Sequence, residues 1–463
     1  MSAGFERGEW ALVIGLGRSG RASCDVLLRR GASVYATDEG PRERIAGTIE
    51  HVTHAGARFV PPSELQAVLG SLTACVVSPG VPLTSELVRL VQAARIPVYS
   101  EIEVAYRISK APLVAVTGTK GKTTTTALVG ALFRAAGGHV RVGGNIGNAL
   151  IGETAVAAAD EWVIAEVSSF QLESIRSFKP RIATILNVSP DHLDRYHSMD
   201  EYGEAKFRIF ANQGPTDTFI GNLDDPVVAS LHLDEGAKRL RARTMWYSLA
   251  PRRGAALYVR QEQIVFEPPT GDPRPIVVMP VAEIPLLGRH NVSNVLAALG
   301  IGLAAGLDPE ALRRGVATFE PLPHRLQTVA ERDGVRFVDD SKSTNPGSVI
   351  AALESFGVPI VAIVGGKAKG TDFGALGAAL RVRAKAVVLI GEAADALAAV
   401  VDPATATRAG SMDEAVAAAS RLAEPGDVVL LSPGCASFDM FGSAEERGNA
   451  FALAARAMVA ARD

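Results

Sequence analysis

The sequence predicts an α/β protein of three domains, each built on a parallel sheet with helices on both faces. Three observations carry this expectation. Apolar runs of strand length alternate with helical patterns almost throughout the chain. The runs are near-continuous in valine, isoleucine and leucine, as strands buried on both faces are. The length of 463 residues suits about three domains of ordinary size. Hydrophobic residues make up 48% of the chain, enough for each domain to bury a core.

The elements follow in order. "WALVIG" reads as a strand, a glycine turn follows, and "RASCDVLLRRG" reads as a helix. "SVYATD" and "ACVVSPG" are the next strands. "PLVAVTG", "EWVIAEVSS" and "RIATILNVS" are buried-type strands in the middle of the chain, and "PIVAIVGG", "AKAVVLIG" and "DVVLLSPG" are their counterparts near the C-terminus. A first boundary falls at Ser100, where a new strand–loop–helix unit begins. A second falls at "FEPLPHR", where Pro321 and Pro323 end a helical segment running from Pro309 to Thr318. The expected domains are therefore 1–100, 101–321 and 322–463. The Pro/Gly-rich "FEPPTGDPRP" reads as a turn between short strands. Neither an internal repeat nor a low-complexity tract is present.

Charge and composition narrow the function. A formal net charge of −3 argues against nucleic acid as the main partner. The N-terminal "MSAGFERGEWALVIG" carries acids and only a short apolar run, unlike a signal peptide. Apolar runs stay well short of the roughly 18–20 residues of a membrane span. Cys24, Cys75 and Cys435 are far apart, match no zinc spacing, and read as small buried apolar residues. A reduced, cytoplasmic protein is expected.

In parallel sheets, ligands bind where strand ends meet helix N-termini. "VIGLGRSG" places Gly15, Gly17 and Gly20 between a strand and a helix, and Asp38 closes the next strand. This G-x-G-x-x-G pattern suits a diphosphate-bearing nucleotide. It does not separate a nicotinamide cofactor from a UDP-sugar, nor either from a tight turn without ligand. Ser78, Pro79 and Gly80 end a later strand and are expected to line the same crevice.

A second loop, "GTKGKTTTT", departs from the Walker pattern G-x-x-x-x-G-K-[ST]. Val116 stands where the first glycine belongs, Gly118 and Gly121 are closer together, and Lys120 lies inside the loop. Backbone amides from Gly118 to Thr124 would cradle an anion, Lys122 would reach the β/γ-phosphates, and Thr123 would offer its hydroxyl to Mg²⁺. An ordinary turn with surface lysines is the alternative. Glu166 in "IAEVSSFQLE" and His192 and Asp194 in "NVSPDHLDRY" stand at neighbouring strand ends. With Thr123, Glu166 and His192 make a metal site, although Mg²⁺ prefers oxygen donors and His192 then acts beside the ion or on a second one. Lys206 in "DEYGEAKFRIF" has, by pattern alone, the character of a solvated helix face.

Taken together, "GTKGKTTT", "GGNIG", "EVSSFQLE", "NVSPDHLDRY", "KFRI", "GRHNVSNVLAA", "LPHRLQ", "DDSKSTNP" and "SPGCASFDMF…ERG" resemble the Mur ligases, the ATP-dependent enzymes that build the peptidoglycan stem peptide. The resemblance spans essentially the whole chain, in family order. "DDSKSTNP" and "SPGCASFD" resemble the branch that adds D-glutamate. The resemblance implies a Rossmann-like UDP-binding domain, a central P-loop ATPase-like domain and a C-terminal Rossmann-like domain for the amino acid. It implies ATP, two Mg²⁺ ions, and UDP-N-acetylmuramoyl-L-alanine and D-glutamate as substrates, with the chain acting as a monomer.

It also implies residue roles. Gly17, Arg18, Ser19, Asp38, Ser78, Pro79 and Gly80 match UDP-contacting positions, and Asn145 and Gln171 match positions that hold this substrate near the reaction centre. Lys122 and Thr123 match the phosphate and Mg²⁺ positions, and Glu166 and His192 match metal positions. Lys206 matches a lysine that becomes a carbamate, an anion with two oxygen donors. Asn291, Asn294, His324, Arg325 and Asp340 match ATP-contacting positions, and Lys342 lies near the transferred phosphate. Thr344, Lys369, Ser437 and Phe438 match the D-glutamate pocket. The chemistry would rest on Lys122, His192, Lys206 and Lys342, with His192 also a candidate base.

Three positions depart from the pattern: Lys120 stands where Asn is usual, Lys367 where some relatives carry an acid, and Ala444 where an aromatic is common. The competing expectations are a sibling ligase for another amino acid, a nicotinamide-dependent oxidoreductase, and a non-catalytic nucleotide-binding regulator. The oxidoreductase leaves the 117–123 loop, Glu166 and His192 without a role, and the regulator leaves the Lys206 and Lys342 matches without one.

Overall fold

Among the described residues, twenty strands fall into three sheets, met in chain order. A computed structural model describes residues 5–191, 195–268, 274–368 and 370–460, with Asp234 described by its backbone alone. His192, Asp194, Lys369 and part of "FEPPTGDPRP" therefore lie outside the described residues.

The first sheet is fully parallel, ordered β3-β2-β1-β4-β5. Its strands are β1 (Trp10–Ile14), β2 (Ser33–Thr37), β3 (Arg58–Phe59), β4 (Ala74–Val77) and β5 (Val98–Ser100). The strand order reverses between β1 and β4, which pair directly. A doubly wound sheet opens its ligand crevice at such a switch point. The first glycine loop and the Ser78 turn leave β1 and β4 there.

The second sheet has nine strands, ordered β14-β13-β12-β11-β10-β9-β6-β8-β7. They are β6 (Leu113–Thr117), β7 (Val140–Gly144), β8 (Trp162–Glu166), β9 (Ile182–Ile185), β10 (Thr218–Asn222), β11 (Arg243–Ser248), β12 (Leu257–Arg260), β13 (Gln263–Phe266) and β14 (Ile276–Pro280). Every residue of β6 and β9 is buried. Each fully buried Val, Leu or Ile there contributes about 1.5–3 kcal/mol of burial. β6 lies between β8 and β9, so its loop is flanked by both neighbouring strand ends.

The third sheet is ordered β15-β16-β20-β17-β18-β19. It comprises β15 (Gln327–Arg332), β16 (Val335–Asp339), β17 (Ile360–Gly365), β18 (Ala384–Ile390), β19 (Ala406–Arg408) and β20 (Val428–Gly434). All nine strand runs expected from the sequence are present. The parallel expectation holds at the sheet centres, but antiparallel strands extend two edges. β12, β13 and β14 pair antiparallel, as do β15 and β16. Their two-residue hairpin turns, Gln261–Glu262 and Asp333–Gly334, have positive φ at both positions. That geometry matches the twist of the strands it joins.

By contacts the chain forms two compact units. One comprises Met1–Glu283 and Ser293–Thr318; the other comprises Ile284–Val292 and Phe319–Asp463. In the first unit, one hydrophobic cluster includes Val13, Ala36, Ala115 and Ala165, so the first two sheets share a core. In the second, separate clusters cover the two faces of the third sheet. All three cysteines are buried and free, and desolvation pushes the Cys435 thiol up to about 11.

Candidate active site

The phosphate loop leaves β6 and enters the helix Lys122–Ala135 through Gly121, whose φ of 82° suits glycine. A Cβ on Gly121 would stand 2.3 Å from Asn294 Oδ1. Gly118 is constrained less severely: its φ is 156°, and a Cβ would meet Leu186 Cβ at 3.0 Å. Asn187, just beyond β9, braces the loop. Its Oδ1 accepts from Thr119 N at 3.1 Å and Lys120 N at 2.8 Å, while its Nδ2 donates to Lys120 O at 3.1 Å. Sequence reasoning did not single out Asn187, although its place just past a strand end beside β6 was the available signal. The Lys122 ammonium folds back over the loop, donating to Gly118 O and Thr119 O at 2.8 Å each.

Lys206 is not on a solvated face. It lies buried on the helix Met199–Phe207, and its Nζ donates to Gly118 O at 2.9 Å. The Tyr202 ring centroid is 4.4 Å from the same nitrogen. Burial, with the nearby Lys122 charge, lowers its pKa from 10.5 to about 7. The phosphate loop thus carries two lysines on one carbonyl, one of them readily neutral.

Glu166 ends β8 and is buried. Its Oε1 accepts from Asn145 Nδ2 at 2.8 Å, and its Oε2 has no hydrogen-bond partner among the described residues. Gln171 lies in the short helix Ser169–Leu172, where it closes a capping box with Ser168. The Gln171 Oε1 accepts from Ser168 N at 2.9 Å, while its buried Nε2 has no partner among the described residues. A buried acceptor and a buried donor left unpaired are costly. Both suit a site that receives a ligand. Thr123, in the first turn of its helix, supplies a further hydroxyl.

At the first glycine loop, Gly20 is fixed by packing, since a Cβ there would lie 1.8 Å from Gly15 O. The Ser78 hydroxyl donates to Gly15 O at 2.6 Å. The Asp38 carboxylate accepts from Leu16 N at 2.5 Å and Gly40 N at 2.7 Å. Ser78 and Asp38 therefore shape the loop itself, and Asp38 keeps lone pairs for a ligand. Arg18 reaches the second sheet, donating from Nη2 to Asn145 O at 3.3 Å. Two residues expected to hold one substrate, from different sheets, thus meet. Ser19 lies within the helix Arg18–Arg29, and Pro79 and Gly80 follow β4.

The second unit carries Asn291, His324 and Arg325, with Asp340, Lys342 and Thr344 after β16 and Ser437 and Phe438 after β20. The buried Asp340 accepts from Ser343 Oγ at 2.5 Å and Ser432 Oγ at 2.9 Å, and desolvation raises its pKa to about 7. His324 Nδ1 pairs with Asp339 Oδ2 at 2.7 Å, and Arg325 is next in the chain. Asn291 donates from Nδ2 to Leu287 O at 2.7 Å. The Lys342 ammonium pairs with Glu445. Thr344, Ser437 and Phe438 line one cavity of about 290 Å³. Behind it, Arg447 is buried and donates to Ser341 Oγ at 3.0 Å, Ser341 O at 2.9 Å and Cys435 O at 3.1 Å. In the sequence Arg447 stands only within the "ERG" of a quoted motif and was given no role.

A lysine-bearing phosphate loop beside a buried carboxylate on adjacent strand ends, with Rossmann-like sheets before and after, defines a multidomain phosphate-loop protein. Residues 116–302 match the family described as "Mur ligase middle domain", and residues 324–435 match "Mur ligase, glutamate ligase domain". The chain is 44% identical over 449 residues to the UDP-N-acetylmuramoylalanine--D-glutamate ligase of Pelotomaculum thermopropionicum, covering 95% of this chain and 96% of that one. It is 42% identical over 452 residues to the protein of the same name from Geobacter metallireducens, covering 97% and 98%. In fold it resembles the MurF ligase of Thermotoga maritima solved in complex with ADP, with a TM-score of 0.61 and 16% identity over 93% of this chain and 96% of that one. The chain belongs to the Mur ligase family.

Proposed function

We infer that this chain is an ATP-dependent ligase that joins D-glutamate to UDP-N-acetylmuramoyl-L-alanine through an acyl phosphate, a step of peptidoglycan precursor synthesis. Identity of 44% over 95% of the chain with a relative of that activity by name carries the reading. It replaces the nicotinamide reading of the first glycine loop. We assign domain 1–100 to the UDP-substrate, 101–321 to ATP and 322–463 to the amino acid. We take the reaction to be cytoplasmic and the acting unit to be one chain; no helix among the described residues is long and apolar enough to cross a membrane.

The muramoyl-alanine carboxylate attacks the γ-phosphoryl group, ADP leaves, and the acyl phosphate is attacked by the D-glutamate amine with loss of phosphate. Lys122 rests on two neutral carbonyls and would exchange them for phosphate oxygens, which make stronger charge-assisted bonds. The N-terminus of the helix Lys122–Ala135 adds its dipole to the same charge. Gln171 Nε2 and Asn145 would orient the substrate's muramoyl-alanine end, with the glycine loop and Arg18 on the diphosphate. The amine must lose a proton, and His192 is the base we propose.

Oxygen donors are what Mg²⁺ requires. Thr123, Glu166 with its unpartnered Oε2, and Lys206 as a carbamate supply them, so these residues suit Mg²⁺, expected as two ions. When bound, Mg²⁺ neutralises charge on the phosphoryl oxygens. A lysine with pKa about 7 is partly neutral near neutrality. Its amine nitrogen can add to CO₂, forming an N–C bond and releasing one proton. The carbamate keeps an N–H for Gly118 O and gains two oxygens that share one negative charge.

The test is phosphate release with ATP, Mg²⁺ and UDP-N-acetylmuramoyl-L-alanine, adding D-glutamate, L-alanine or a diamino acid in turn. Release should depend on D-glutamate. Equal release with either alternative would overturn the reading.

A further inference from the structure

The cavity in the second unit contains a cation with no role so far. It is lined by Thr344, Lys367, Thr371, Ser437, Ser443 and Glu445, among others. Residue 367 is held in place by its backbone: Lys367 N donates to Ala436 O at 2.8 Å, which sets it beside Ser437. The two residues before it leave little freedom. Gly365 and Gly366 have φ of 126° and 132°, and a Cβ would come within 2.0 Å of Ile390 O and 2.5 Å of Ala436 O respectively.

The charges in the cavity are unequally committed. Glu445 is already paired with Lys342. The Lys367 side chain is exposed and makes no ion pair or side-chain hydrogen bond among the described residues. One uncommitted ammonium beside four hydroxyls is a donor set for a carboxylate.

We propose that Lys367 binds one of the two carboxylates of D-glutamate and sets the pocket's preference for a substrate that carries it. This rests on the ligase reading above and extends it to a residue outside the assigned pocket set. A charged hydrogen bond of this kind changes affinity on the order of tenfold. An amino acid that lacks the carboxylate held by Lys367 gains nothing from it, so the contact discriminates by attraction.

The experiment uses the full chain, Lys367→Gln and Lys367→Arg, with steady-state phosphate release on D-glutamate and its two monoamides, D-glutamine and D-isoglutamine. Lys367→Gln should raise KM for D-glutamate about tenfold, leaving kcat and the KM for ATP near wild type. Lys367→Arg should stay close to wild type. The preference for D-glutamate over one monoamide should shrink by a similar factor in Lys367→Gln. An unchanged KM for D-glutamate in Lys367→Gln, or unchanged discrimination against both monoamides, overturns the proposal alone. Absence of D-glutamate-dependent release by the wild type overturns the ligase reading and this proposal with it.

Discussion

Asn145 and Glu166 are joined twice: Asn145 Nδ2 donates to Glu166 Oε1 at 2.8 Å, and Asn145 N donates to Glu166 O at 2.9 Å. Gly144 makes this approach possible, since a Cβ there would lie 2.3 Å from Glu166 O. Arg18 attaches to the same segment through Asn145 O. One asparagine thus orients the carboxylate we assign to Mg²⁺ and contacts the arginine we assign to the diphosphate.

Asn145→Leu removes the side-chain bond and leaves a buried carboxylate oxygen unpaired. Such a loss costs about 1–3 kcal/mol. kcat/KM for the UDP-substrate should fall on the order of ten- to hundredfold. The Mg²⁺ concentration giving half-maximal rate should rise in parallel. A Mg²⁺ titration of initial rates checks this, and an unchanged midpoint would separate Asn145 from the metal carboxylate.

Lys206 has a stability signature as well as a catalytic one. Its pKa falls from 10.5 to about 7 on folding, so between those values the unfolded chain binds more protons than the folded one. Stability of the uncarbamylated protein should therefore rise with pH from about 7 to about 10.5. Lys206→Met should flatten that slope in urea titrations made in CO₂-free buffer. Lys206→Ala should keep the fold and abolish turnover. Carbon-13 bicarbonate should give a carbamate resonance in the wild type that Lys206→Ala lacks; its absence from the wild type would remove the carbamate from the site.

The strand ends were legible because buried parallel strands read as unbroken apolar runs and their glycines mark the loops. Gly121 and Gly118 were found this way. The hairpin at Asp333–Gly334 carried a turn dipeptide that went unread, whereas Gln261–Glu262 reaches the same backbone geometry with residues that give no such signal. Lys206 was illegible by pattern. Its helix has acids in its first turn, like a solvated one, and only the packing of that helix against the phosphate loop buries the amine. Asn187 and Arg447 stayed hidden for a related reason: their partners, Thr119 and Ser341, are distant in sequence.

Gly20 tests the first glycine loop. A methyl group there meets a backbone carbonyl at 1.8 Å and Ser78 Oγ at 2.7 Å, and a backbone atom cannot step aside as a side chain can. Gly20→Ala should cost about 1–3 kcal/mol or more. The strain lies where helix and strand meet at the crevice we assign to the diphosphate, so KM for the UDP-substrate should rise while KM for ATP stays near wild type. Urea denaturation with paired KM measurements checks both. Gly17→Ala is the contrast, because a Cβ at Gly17 meets nothing within 4 Å.

Glu103 should govern acid stability of the first unit. Its buried carboxylate accepts from Arg176 N at 2.9 Å, Ser177 N at 3.0 Å, Phe178 N at 2.8 Å, Ser177 Oγ at 2.5 Å and Arg107 Nε at 2.8 Å. These bonds fix the turn that follows the Gln171 helix. Burial acts to raise its pKa, but the Ser177, Arg176 and Arg107 donors outweigh it and the net shift is downward. A depressed carboxylate stabilises the fold above its unfolded pKa and loses that contribution as pH falls through the folded one. The loss should therefore begin near the ordinary glutamate value of about 4.3 and continue below it. Glu103→Gln keeps the size but turns an NH₂ group toward backbone donors, and should cost about 2–3 kcal/mol at neutral pH. Its melting temperature should also fall less steeply than that of the wild type between pH of about 5 and 3. Equal acid slopes in the two proteins would show that other carboxylates set the acid limit.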